Sequence, residues 1–68
     1  MYTKKSTLDE FRLSFDDIMG WKWQDKRNGD DRVYSRYFLS AWELRSFIRE
    51  YFGARAEAKV SKLHPELP

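Results

Sequence analysis

Few side chains in this chain of 68 residues could carry catalysis or bind a metal. The single histidine, His64, has no partner in the sequence that would orient it as a general base. Two acidic pairs, Asp16-Asp17 and Asp30-Asp31, are adjacent in sequence, which directs their side chains apart on a helix or a strand. We therefore expect no catalytic residue, no metal site and no cofactor, and a protein that is not an enzyme.

Aromatic and basic side chains are concentrated in residues 21–38, WKWQDKRNGDDRVYSRYF. Asn28-Gly29 at its centre predicts a two-residue hairpin turn, because both residues tolerate positive φ. The resulting register has six cross-strand pairs: Arg27–Asp30, Lys26–Asp31, Asp25–Arg32, Gln24–Val33, Trp23–Tyr34 and Trp21–Arg36. The first three are opposite-charge pairs, Trp23–Tyr34 is an aromatic pair and Trp21–Arg36 is a cation–π pair, and these pairs support the register.

This register sorts the hairpin side chains onto two faces. The heavier face carries Trp21, Trp23, Asp25, Arg27, Tyr34, Arg36 and Phe38. The other face carries Lys22, Gln24, Lys26, Val33, Ser35 and Tyr37. An isolated hairpin is marginal in water, so we expect the tryptophan face to form part of the core. The alternative is an exposed stacking platform for nucleic-acid bases, flanked by arginines.

The sequence offers two sets of candidate binding residues. The candidates for protein recognition lie on a helix face that the core does not need: Trp42, Arg45 and Arg49. The candidates for nucleic-acid binding are the basic residues of the hairpin: Lys26, Arg27, Arg32 and Arg36. Charge pairing within the hairpin argues against a phosphate-tracking groove. We therefore predict a small non-enzymatic protein-binding module, acting as an inhibitor, adaptor or accessory subunit of the kind that phages and mobile elements encode. DNA or RNA binding is the alternative.

The basic hairpin leads directly into a capped helix, and this arrangement resembles the arm-binding DNA domains of tyrosine recombinases. The resemblance covers residues 20–52 and is based on a glycine-containing turn and an aromatic residue before the helix. Those domains have a further strand ahead of the hairpin, which residues 11–15 would supply if they formed a strand. The resemblance implies DNA binding by the hairpin and the following helix.

Residues 8–19 are predicted to form the first helix. Thr7 and Glu10 have capping-box spacing. The apolar residues that share one side of this helix are Leu8, Phe11, Phe15, Ile18 and Met19. Leu13 does not fit this stripe, and the alternative is a strand in which residues 11–15 place alternate apolar side chains on one face.

Residues 41–52 carry the strongest helix signal. Ser40 and Glu43 form a capping box, and Leu39 and Leu44 have the spacing of a hydrophobic staple. The apolar stripe of this helix, which we expect to face the core, consists of Leu44, Phe47, Ile48, Tyr51 and Phe52.

Residues 54–63 are predicted to form a C-terminal helical extension after Gly53. In a straight helix the apolar side would change faces at Gly53. The chain therefore either bends there, or a long helix turns its second apolar face toward another protein or another copy of the chain. The second alternative predicts self-association through residues 54–63.

The predicted fold class is α+β, with an N-terminal helix, a two-stranded antiparallel β-hairpin, a second helix and a C-terminal helical extension. We expect a single domain over residues 1–68, with flexible tails at 1–6 and 64–68. The predicted core consists of Phe11, Phe15, Ile18, Trp21, Trp23, Leu44, Phe47, Ile48 and Tyr51.

The net charge is only +2, but it is unevenly spread along the chain. Residues 1–31 contain six Lys/Arg and seven Asp/Glu, whereas residues 32–68 contain seven and four. The absence of cysteine fits a reducing compartment, so we expect a cytoplasmic location. No apolar run approaches the roughly 20 residues of a membrane span, and we expect no membrane association.

Overall fold

A three-stranded antiparallel sheet followed by two helices makes up the fold. The computed structural model describes residues 5–68. The elements in chain order are β1 (Leu8–Asp16), β2 (Gly20–Arg27), β3 (Tyr34–Phe38), α1 (Ala41–Phe52) and α2 (Ala54–Leu63). The strand order is β1-β2-β3, with β2 in the centre. The predicted order, an N-terminal helix followed by a two-stranded hairpin, is therefore wrong. Residues 8–16 form a strand, and the hairpin is part of a three-stranded sheet. Residues 1–4 of the flexible tail that was predicted for residues 1–6 lie outside the described residues.

β1 is a strand because every second side chain in it packs against β2. The ring of Phe11 stacks on Trp23 with centroids 5.3 Å apart. Phe15 meets Trp21 edge-on at 4.9 Å. Leu13, the residue that did not fit the helical stripe, lies opposite Trp23 on the same face. Cross-strand aromatic packing thus outweighs the helical periodicity of the same segment.

Asp16 shapes the turn between β1 and β2. Its carboxylate accepts the main-chain N–H groups of Met19 at 2.9 Å and Ile18 at 2.8 Å. The hydrogen bonds from Met19 and Ile18 lower the pKa of Asp16 below its ordinary value. Gly20 follows at φ 90°, and a Cβ there would collide with the main-chain oxygen of Phe38. Ile18 lies in this turn and is exposed, so its prediction as a core residue is wrong.

The hairpin turn forms where predicted, but β2 and β3 pair in a register that differs from the predicted one by two residues. Asn28 and Gly29 have φ of 55° and 73°, and the N–H of Asp30 donates to the Arg27 oxygen at 2.9 Å. β3 begins only at Tyr34. The observed pairs that replace the predicted ones are Trp21–Phe38, Lys22–Tyr37, Trp23–Arg36, Gln24–Ser35 and Asp25–Tyr34.

The register differs because the turn is bonded to the start of β1. The N–H of Thr7 donates to Asn28 Oδ1 at 2.8 Å, and the N–H of Asn28 donates back to the Thr7 oxygen at 3.0 Å. The N–H of Gly29 donates to Asp9 Oδ2 at 2.6 Å. Residues 30–33 remain outside the strands. A shift of two residues preserves the alternation, so the predicted division of side chains between the two faces is confirmed.

α1 begins and ends where the sequence predicts. The side chain of Ser40 accepts the N–H of Glu43 at 3.2 Å, which confirms the predicted cap. Gly53 follows the last helical residue at φ 101°, and its N–H donates to carbonyl groups of α1. The predicted staple does not form, because Leu39 is exposed while Leu44 is fully buried.

The chain bends at Gly53, and α2 packs back against α1. Val60 is fully buried, and Arg49 donates to Glu57 across the two helices. Of the two predicted alternatives, the structure therefore has the bend. Leu67, in the segment expected to be a flexible tail, is part of the core. Self-association through residues 54–63 stays a prediction.

The core lies between one face of the sheet and the two helices. Its buried hydrophobic residues are Trp23, Phe38, Ala41, Leu44, Phe47, Ile48, Phe52, Val60 and Leu67. The predicted core residues found fully or largely buried are Trp23, Leu44, Phe47 and Ile48, and those packed at its margin are Phe11 and Trp21. The predicted core residues that are instead exposed are Phe15, Ile18 and Tyr51.

Candidate functional site

The face of the sheet opposite the helices carries polar side chains from all three strands. The helices cover the face that carries Trp23, so alternate residues of each strand point to solvent on the other side. We call this surface the open face, and its side chains are Glu10, Arg12, Ser14, Lys22, Gln24, Lys26, Ser35 and Tyr37. All of them are exposed or half-buried.

Side chains on the open face are arranged in rows across the three strands. The two rows that contain a residue from every strand are Arg12–Gln24–Ser35 and Ser14–Lys22–Tyr37. Gln24 Nε2 donates to Ser35 Oγ at 3.2 Å, and Lys22 Nζ lies 5.9 Å from the centre of the Tyr37 ring. These cross-strand contacts hold the polar side chains of neighbouring strands next to each other.

The open face carries three cations, and two of them have no acidic partner within residues 5–68. Lys26 Nζ lies 3.8 Å from Glu10 Oε2. No salt bridge engages Arg12 or Lys22 in the described part of the chain. The acidic side chain of Asp16, at the end of β1, is held in the turn. The face is therefore weakly cationic and rich in hydrogen-bonding groups.

The four residues predicted for nucleic-acid binding do not lie together. Lys26 is on the open face, and Arg32 is exposed in the loop between β2 and β3. Arg27 points to the helix side, where its Nε donates to Asp25 Oδ1 at 2.7 Å. Arg36 also lies on that side, with its guanidinium 5.1 Å from the ring of Phe38. The predicted basic cluster is thus divided between the two faces of the sheet.

Asp25 and Arg27 form an ion pair within the core. Asp25 is only 2% exposed, and its carboxylate also accepts the indole N–H of Trp23. The guanidinium of Arg27 lies 4.0 Å from the centre of the Tyr34 ring and 5.4 Å from that of Phe52. Both charges are therefore used to hold β2 against β3 and α1.

The residues predicted for protein recognition lie along one side of α1. Trp42 is 76% exposed, which confirms the predicted exposure of its ring. Arg45 Nη1 donates to the main-chain oxygen of Pro68 at 2.8 Å. Arg49 donates to both carboxylate oxygens of Glu57, at 2.6 and 3.2 Å. The two arginines therefore hold α2 and the residues after it, and the exposed Trp42 lines the same surface pocket beside them.

Several open-face residues were not predicted as binding residues. The alternation in WKWQDK places Lys22 and Gln24 on the polar face of the hairpin, but Lys26 is the one residue of that face predicted to bind nucleic acid. Arg12 was missed because its segment was predicted to be helical. Among residues 5–68, no group of three or more His, Cys, Asp or Glu could hold a metal ion. The arrangement on the open face suits binding through hydrogen bonds and charge.

Comparisons with known protein families, with curated proteins and with solved structures find no match for this chain. Within the described part, no helix has both the length and the apolar character needed to cross a membrane.

Proposed function

We propose that the protein binds duplex DNA through the open face of its sheet. The observation that carries this proposal is the pair of cross-strand rows on a face that no helix covers. The rows combine the side-chain types that contact nucleic acid. Arg12 and Lys22 can donate to guanine or phosphate, Gln24 can pair with adenine, and serine and tyrosine hydroxyls can donate to phosphate oxygens.

The width of the sheet favours the major groove of B-form DNA. Neighbouring strands are about 4.8 Å apart, so three strands span about 10 Å. The major groove of B-DNA is about 12 Å wide and admits β-strands as well as helices. The major groove of A-form RNA is too deep and narrow for side chains to read. Duplex DNA is therefore the nucleic acid that fits the open face best.

The other side of the sheet supports the proposal by fixing the open face. Trp23 and Asp25 anchor β2 in the core between the polar residues that point outward. A binding surface on such a supported sheet requires little ordering when a ligand binds. β1 also supplies a strand ahead of the hairpin, which the resemblance to the arm-binding domains of tyrosine recombinases requires, and this agreement supports DNA as the ligand.

The proposed role is binding without catalysis, as a regulator or accessory subunit that acts on DNA. The weak net charge of +2 fits a protein that makes few phosphate contacts better than one that depends on charge alone. A cytoplasmic location is part of this proposal and depends on the absence of cysteine.

Loss of an open-face cation is expected to weaken DNA binding. Arg12→Ala and Lys22→Ala should each cost about 1–3 kcal/mol of binding free energy where the side chain contacts a base edge. Where it contacts a phosphate, the variant should lower the slope of log K against log salt by about one unit. Fluorescence anisotropy with a labelled duplex, measured over a series of salt concentrations, checks both effects.

Two control variants separate a specific face from general charge. Lys59→Ala removes a cation from an exposed position of α2 and should leave affinity nearly unchanged. Glu10→Gln removes the acid that contacts Lys26 and should strengthen binding. Equal losses in Lys59→Ala and Lys22→Ala, or absence of binding by the wild type at low salt, would refute the proposal.

Protein recognition centred on Trp42 is the second candidate function. It is favoured by the exposure of a tryptophan on the first turn of a well-capped helix, since tryptophan is enriched among interface hot spots. Arg45 and Arg49 remain the proposed flanking residues. A partner would have to share them with Pro68 and Glu57, so we expect Trp42 to contribute most.

A further inference from the structure

A depression lies in the open face of the sheet, next to the point where β3 begins. Its polar lining includes Arg12, Gln24 and Lys26, and Val33 supplies an aliphatic wall. Val33 directly precedes β3 and is 52% exposed. Single exposed apolar residues are common on proteins, so the groups beside Val33 decide what it can bind. Here it lies beside a side chain with a fixed hydrogen-bonding pattern.

That side chain is Gln24, whose amide is held by its neighbour on β3. Gln24 Nε2 donates to Ser35 Oγ at 3.2 Å. A primary amide has two N–H donors and a carbonyl oxygen that accepts. The bond to Ser35 uses one donor, so the other N–H and the Oε1 oxygen of Gln24 are left for a ligand. The ligand that matches them must offer one acceptor and one donor side by side.

Adenine offers this combination in the major groove of DNA. Its N7 accepts and its N6 amino group donates, whereas guanine presents two acceptors, N7 and O6. Gln24 can therefore make two hydrogen bonds to adenine and only one to guanine. The partner of adenine is thymine, whose C5-methyl group lies in the same groove and favours apolar contact. Val33 is the exposed aliphatic side chain available for that contact.

Charge does not decide which base binds in the depression. Arg12 and Lys26 are its exposed cations, and Glu10 contacts Lys26. The carboxylate of Asp25 is bonded on the helix side of the sheet. The acids of the neighbouring loop, Asp30-Asp31, do not line the depression. Discrimination between bases therefore depends on hydrogen bonds and on the methyl contact.

We propose that the open face recognises an A·T pair, with Gln24 bonded to adenine and Val33 in contact with the methyl group of thymine. Ser35 is a positioning residue, because it orients the Gln24 amide through their hydrogen bond. The inference rests on the proposed binding of duplex DNA and adds the sequence that such binding prefers. A protein that binds all duplexes equally would keep the proposed function and lose this inference.

Base analogues test the two contacts on the wild-type protein. A library of duplexes with a randomised centre is selected on the protein, and the selected duplexes should share an A·T pair at a fixed position. Replacing its thymine by deoxyuridine removes only the methyl group and should weaken binding about fourfold, the ratio expected for burial of one methyl group. Replacing its adenine by 7-deazaadenine removes the N7 acceptor and should weaken binding about fivefold.

Variants assign each effect to its residue. Val33→Ser should bind the thymine and deoxyuridine duplexes equally, and Gln24→Ala should bind the adenine and 7-deazaadenine duplexes equally. Ser35→Ala should lower the preference for A·T over G·C at the fixed position, and Ser35→Thr should restore it. Leu63→Ser, at a 58% exposed position of α2, is the matched apolar control and should keep both wild-type ratios.

Each measurement is a ratio between two duplexes on one protein, so a partial loss of folded protein affects both duplexes equally. Binding without sequence preference would overturn the inference, and so would a selected site that contains only G·C pairs. Analogue effects that persist unchanged in Val33→Ser and Gln24→Ala would overturn it as well. Absence of binding to any duplex at low salt would refute the proposed function together with the inference.

Discussion

Asp25→Ala is expected to lower the free energy of unfolding by about 3–5 kcal/mol, because it leaves a charge buried without its partner. Arg27 Nε would lose its 2.7 Å bond, and the indole N–H of Trp23 would lose its acceptor. At roughly 0.05–0.15 kcal/mol per residue, a chain of this length has only about 3–10 kcal/mol of stability. Urea denaturation followed by circular dichroism should show an unfolding midpoint far below that of the wild type.

Two control variants isolate the buried charge as the cause. Asp31→Ala removes an acid from an exposed loop position and should change stability by no more than about 0.5 kcal/mol. Replacing Asp25 and Arg27 together by leucine should cost less than Asp25→Ala alone, because no isolated charge remains in the core. An Asp25→Ala protein within about 1 kcal/mol of the wild type would show that Arg27 finds other compensation.

Trp23→Ala should also cost about 3–5 kcal/mol, the range for removing a buried aromatic side chain. Trp23 is fully buried and contacts aromatic rings from both sides of the core. Its ring centroid lies 5.3 Å from that of Phe11 and 6.5 Å from those of Phe47 and Phe52. The cavity left by the indole ring would remove the contacts between the sheet and α1. Thermal unfolding should lose its cooperative transition or show a midpoint far below that of the wild type.

Trp42→Ala is the matched control for Trp23→Ala. It removes the same side chain from a position that is 76% exposed, so the unfolding midpoint should move little. Equal thermal stability of Trp23→Ala and wild type would remove β2 from the core. A large loss of stability in Trp42→Ala would instead place that ring in the core.

The sequence predicts the helices well because their signals are local. The cap formed by Ser40 and the end at Gly53 depend only on residues within one or two turns of α1. The cap and the end require no knowledge of distant contacts, and the structure confirms both. The change of the apolar side at Gly53 left two alternatives, a bend or a straight helix, and only the packing of α2 against α1 decides for the bend.

β1 was not predictable in the same way because its residues fit two periodicities. Ile18 and Met19 extend the apolar pattern to helical spacing, whereas Phe11, Leu13 and Phe15 alternate as in a strand. The choice between them depends on pairing with β2, which is not visible in the segment itself. Consequently Arg12, which lies on the open face, was absent from the predicted binding residues.

The hairpin register shows a second limit of local signals. The positive φ of Asn28 and Gly29 was predictable. The hydrogen bonds that hold this turn involve Thr7, the predicted helix cap, and Asp9, in the predicted helix. The two-residue shift separated the predicted charge pairs. Arg27 lies on the tryptophan side of the sheet in both registers, where it pairs with Asp25 and lies away from the open face.

The most direct test of DNA binding by the open face is an NMR titration of the ¹⁵N-labelled protein with duplex DNA. Amide shifts should be largest at residues 10–14, 22–26 and 35–37 on the three strands. Amides of α2 and the indole N–H of Trp42 should keep their positions. Shifts confined to the helices or to Trp42, with the three strands unchanged, would contradict the proposed DNA-binding surface.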